Sequence, residues 1–61
     1  MTGVEDLASR LARAWIDNYT LSGADAYMEN EARRKSIIVE ADALGIREAV
    51  YSRANSIVRG D

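Results

Sequence analysis

Apolar side chains return every three or four residues along most of this chain, the pitch of an α-helix with about 3.6 residues per turn rather than the alternation of a strand. In the first stretch Val4, Leu7, Ala8, Leu11, Ala14, Trp15 and Tyr19 share a face, while Asp6, Ser9, Arg10, Arg13 and Asp17 take the other side. Ala12 and Ile16 widen the apolar face, so this helix is expected to touch more than one neighbour or an outside partner.

The chain has no Pro and only four Gly, so few residues set its breaks. Thr2 followed by Glu5 is a capping-box pattern, in which hydroxyl and carboxylate satisfy amides left unpaired at a helix start. It predicts a first helix over residues 3–19. Ser22 with Asp25 repeats the pattern, and the short Leu21, Ser22, Gly23 turn folds a second helix back on the first as an antiparallel hairpin. Gly45 can take the left-handed backbone that closes a helix, and Ile46 beyond it supplies the apolar contact of a Schellman ending. The second helix is therefore expected over residues 23–44. A third, over residues 46–58, sets Ile46, Val50, Ala54 and Ile57 on one line, with Ala49, Tyr51 and Val58 flanking it and Gly60 ending it. The fold expected is an all-α, single-domain, three-helix protein spanning residues 1–61.

The middle of the second helix departs from this regularity, because residues 29–36 contain one apolar side chain, Ala32. We read this stretch as solvated, with Glu29 paired to Arg33 and Glu31 to Lys35, each pair adding about 0.2–0.5 kcal/mol to a helix in water. Ile37, Ile38 and Val39 follow, and a β-branched triplet leaves a short strand as the alternative there.

With 61 residues the chain has room for one thin core. Small proteins commonly add a metal, disulfides or a second subunit to make up the deficit. The sequence holds no Cys and no His, which removes disulfides and the usual zinc ligands and leaves self-association. The second helix carries apolar residues on several sides: Tyr27 with Ile38; Met28, Ala32 and Val39; and Ile37, Ala41 and Leu44. Two short helices cannot cover all of them, so a homodimer is expected. At 48% hydrophobic and 30% charged, with a net charge of −2, the chain is globular in character. No stretch approaches the roughly 20 apolar residues that cross a bilayer, and the start is acidic where a secretory leader is basic. A cytoplasmic protein without membrane contact is the expectation.

Catalysis needs a tuned acid, base or nucleophile, and the inventory is poor without His or Cys. The glycines are isolated, so neither a phosphate-cradling loop nor a nucleophile elbow is present. Asp25 with Glu29, and Glu40 with Asp42, are the best carboxylate pairs, and the twelve-residue calcium-loop pattern is missing. A non-enzymatic protein without metal or cofactor is expected.

Ala41, Leu44, Gly45 and Ile46 resemble a helix-turn-helix, which pairs a small residue four before the turn glycine with apolar residues on either side of it. The resemblance covers about twenty residues. It implies a reading helix in the segment 41–59 whose Arg47, Tyr51, Ser52, Arg53 and Asn55 face bases, with Arg59 on phosphate. Residues 33–61 hold six basic and four acidic side chains, against two and six in residues 1–32, so the motif lies in the basic half. Glu40 departs from the pattern, which wants a buried apolar residue there, and Val50 comes one position early.

Trp15, Tyr19 and Tyr27 are expected to cluster where the hairpin turns, as core packing or as anchors for a partner. Two functions follow: a small regulatory or adaptor protein that binds another protein through Trp15, Tyr19 and Tyr27, or a compact DNA-binding regulator using residues 41–59.

Overall fold

The computed structural model describes residues 3–60 as three α-helices, α1 (Val4–Asn18), α2 (Ala24–Ala43) and α3 (Arg47–Arg59), with no strand among them. The all-α expectation therefore holds, and Ile37, Ile38 and Val39 lie within α2. No helix among the described residues is long and apolar enough to cross a membrane.

α1 is the central helix, packed against both α2 and α3, which touch each other less. Its buried residues, Leu7, Ala8, Leu11, Ala12 and Ala14, span more than one side, so the widened apolar face serves two neighbours. Glu5 and Trp15 reach α3 and Asp17 reaches α2, which places Ala8 and Ala12 on the side of α1 that meets α3. Alanines there, with Ala54 on α3 and Ala41 on α2 in the same core, let the helix backbones approach closely. The largest fully buried side chains are Leu7, Leu11, Ile37 and Val50, the thin core that the chain length predicts.

The end of α2 is a Schellman motif. The Ile46 N–H donates to the Ala41 carbonyl (2.9 Å) and the Gly45 N–H to the Asp42 carbonyl (3.0 Å), while Gly45 takes a φ of 72°. Ile46 then packs on the core beside Ala41. The start of α2 differs from the expected cap. Gly23, with φ 91° and ψ 153°, occupies the N-cap position, and no side chain bonds the cap. The turn through Gly23 sets Ser22 outside the helix, where its hydroxyl makes no hydrogen bond among the described residues. The Thr2 half of the first capping box lies outside the described residues, and Gly3 is the N-cap of α1.

The middle of α2 also departs from expectation. Asn30 is buried, at 4% exposure, and Arg34 is half-buried. Asn30 Nδ2 donates to the Ala14 carbonyl of α1 (3.0 Å), and its Oδ1 accepts from Arg34 Nε (2.8 Å). A polar residue thus enters the α1/α2 seam with both ends of its amide satisfied, as a buried amide must be. The expected pairs within α2 do not form. Arg33 instead reaches Asp17 of α1 (3.0 Å), because Asp17 also faces that seam. Lys35 and Glu31 are exposed, with no ion pair or hydrogen bond among the described residues.

Candidate protein-binding site

Trp15, Tyr19 and Tyr27 do not form one cluster. Trp15 is half-buried and stacks on Tyr51 of α3, ring centres 6.0 Å apart and planes 25° from parallel. Its position on the α3 side of α1 turns it away from the hairpin. Tyr19, the C-cap residue of α1, is 85% exposed, and Tyr27, one turn into α2, is 51% exposed. These two tyrosines, with the partly exposed Ile16, put apolar area into solvent at the hairpin end of the bundle.

The hairpin end has a defined floor. Asp17 receives Arg33 at 3.0 Å and Arg13 at 3.4 Å, and an open cleft runs past this ion pair between Thr20, Leu21 and Ala26. The buried Asn30 lies at the inner wall of the cleft and pins the first turns of α2 to the last turns of α1. The tyrosines are therefore carried on a braced hairpin, and each displays a ring with a polar tip, a combination enriched in protein interfaces.

The residues assigned by resemblance to DNA reading are dispersed. Tyr51 faces inward against Trp15. Arg53 donates to Glu5 of α1, and Arg47 lies 3.9 Å from Asp42. Ser52 and Asn55 are exposed, as is Arg59, which has its own interaction within the chain. Glu48 shares their outward face, four residues before Ser52 and seven before Asn55. Glu40, the departure noted in the motif, has one oxygen buried without a hydrogen bond, 3.9 Å from Arg10. Comparisons with known proteins give no match. No family model, curated protein or solved structure matches this chain.

Among the described residues, no group of three or more acidic side chains gathers in the geometry of a metal site. The clefts of the surface are open, and salt-bridged side chains line the one between α1 and α2 that holds Arg10, Arg13 and Arg33. Two features that brace the bundle lie outside the sequence pattern. Asn30 was hidden because it is polar, although Asn30, Arg34, Ile37 and Ala41 repeat at four, three and four residues, the spacing of one helix face. The Trp15–Tyr51 stack joins helices that are not neighbours in the chain, and no local signal marks it.

Proposed function

We propose that this chain is a small non-catalytic protein with a regulatory or adaptor role, acting by binding another protein through the hairpin end. The observation that carries this reading is the pair of exposed tyrosines, Tyr19 and Tyr27, on a hairpin braced by Asn30 and by the Asp17–Arg33 ion pair. A rigid mount supports binding, because ordering a loose surface costs about 0.5–1.5 kcal/mol for each flexible side chain immobilised. Ile16 and the cleft past Leu21 add apolar surface at the same end of the bundle. Trp15 contributes through the core, as the support of α1 against α3, rather than as an anchor. The helix-turn-helix alternative draws little from the geometry, since Tyr51 and Arg53 are occupied by α1.

The test compares capture of a partner from the native source by the natural chain and by Tyr19→Ala with Tyr27→Ala. Interface hot spots are worth about 2 kcal/mol or more, so capture should fall more than tenfold. Unfolding should shift by less than about 0.5 kcal/mol, as for surface substitutions. Unchanged capture, or a loss of folding in proportion to the loss of capture, removes the proposal.

A further inference from the structure

The outward side of α2 carries an apolar line that nothing among the described residues covers. Met28 is 66% exposed and Val39 60% exposed, and Ala32 and Ala43 between and beyond them are exposed as well. Met28 and Val39 are eleven residues apart, about three helical turns, so they share one face, as do Ala32 and Ala43. This face is opposite the one that holds Asn30, Ile37 and Ala41 against α1.

Its charges are arranged along the helix axis with an asymmetry. Asp25, Glu29 and Glu31 in the first half are exposed and without an ion pair among the described residues, and the unpaired cation Lys35 lies in the second half. Met28 and Val39 are symmetric about the middle of α2, and Glu31 and Lys35 are symmetric about Arg33. Glu31 and Lys35 also lie on the same flank of the apolar line. In an antiparallel pair of helices each flank meets the same flank of its partner. Two copies of α2 laid antiparallel therefore set Met28 against Val39 and Glu31 against Lys35, twice each by symmetry. The other flank then sets Glu29 between Ser36 and Glu40 of the partner, and the Glu40 charge is already met by Arg10 of its own chain, 3.9 Å away. A parallel pair brings Glu29 of one copy against Glu31 of the other, and so is disfavoured.

We propose that a second copy of this chain is what covers this face: α2 pairs antiparallel with its counterpart through Met28, Ala32 and Val39, and Lys35 of each copy bonds Glu31 of the other. Tyr27 precedes Met28 and stands one turn before Glu31, so this face adjoins the hairpin end, but the pairing proposed here uses Met28, Val39, Glu31 and Lys35 and neither tyrosine. One helix face per copy is less than the about 1,200 Å² buried by standard interfaces, so the dimer is weak and concentration-dependent.

Sedimentation velocity in low-salt buffer, from low to high micromolar chain, tests it. The natural chain should pass from monomer to dimer as concentration rises. Lys35→Glu and Glu31→Lys should each weaken the dimer about tenfold, since each replaces two attractive contacts by repulsive ones. An equimolar mixture of the two variants should recover the dimer, because each then meets its opposite. Both side chains are exposed and unpaired among the described residues, so the circular dichroism and unfolding of the isolated variants should match those of the natural chain. A natural chain monomeric throughout, single variants that dimerise unimpaired, or a mixture that fails to recover would each overturn the proposal.

Discussion

Replacement of Asn30 by Ala tests whether a polar side chain holds the α1/α2 seam. The amide loses two hydrogen bonds, to the Ala14 carbonyl and from Arg34, each worth about 0.5–1.5 kcal/mol net, with charge-assisted bonds at or above the upper end. Two penalties are avoided. The Ala14 carbonyl belongs to α1 and keeps its own helical partner, and Arg34 is only half-buried, so water can reach its guanidinium. The expected loss is thus about 1.5–3 kcal/mol. A domain of 61 residues, at about 0.05–0.15 kcal/mol per residue, has only about 3–9 kcal/mol in all. The melting temperature should fall by about 6–24 °C, at roughly 4–8 °C per kcal/mol for a domain of this size. Urea unfolding followed by far-ultraviolet circular dichroism measures the loss, and an unchanged denaturant slope shows that the compactness of both states is preserved. Arg34→Ala, alone and combined with Asn30→Ala, completes a cycle whose coupling should be about 1 kcal/mol, because Asn30 is the group Arg34 bonds. A loss below about 0.5 kcal/mol, the level of an ordinary surface change, or a coupling near zero would refute the reasoning.

Two further outcomes follow from the same structure. Gly45→Ala should destabilise by about 1–2 kcal/mol from the left-handed backbone alone, since nothing lies within 4 Å of the added Cβ; an equal loss for Gly3→Ala, where the backbone is extended, would contradict this cause. Glu5→Gln and Arg53→Gln, alone and combined, should give a coupling of about 0.2–1 kcal/mol, both side chains being substantially exposed. That coupling should vanish in molar salt, and one that persists would mean that the contact is not governed by screened charge.

The parts of the fold that could be read from the chain are those set by neighbours in sequence. Gly45 and Ile46 close α2 as expected because the Schellman ending is made wholly within six residues. The α1 face was legible because its buried positions are apolar and helically spaced. The charge pairs were misassigned where a rule for isolated helices was applied to one packed against another. Glu29 and Arg33 stand at the right spacing, yet Asp17 of α1 lies within 3.0 Å of Arg33 and takes it. The tyrosines were recognisable by type, but exposure is a property of the assembled bundle, and the stack of Trp15 on Tyr51 depends on α3 lying against α1.

α2 was the least legible element for a reason that bears on function. Its inner face carries Asn30 and Arg34 beside Ile37 and Ala41, and its outer face carries Met28, Ala32 and Val39. Polar residues inside and apolar ones outside blur the contrast from which an amphipathic helix is recognised. The inner polar pair has a structural cause, since Asn30 joins two helices through bonds that fix their register. The outer apolar residues have none within the monomer, where burying each would release about 25 cal/mol for every Å² removed from water and none is buried. Their stabilising capacity is realised only when another surface covers them. Glu31 and Lys35, unpaired among the described residues, flank that line, and the antiparallel copy proposed above is the surface that would meet both its apolar residues and these charges.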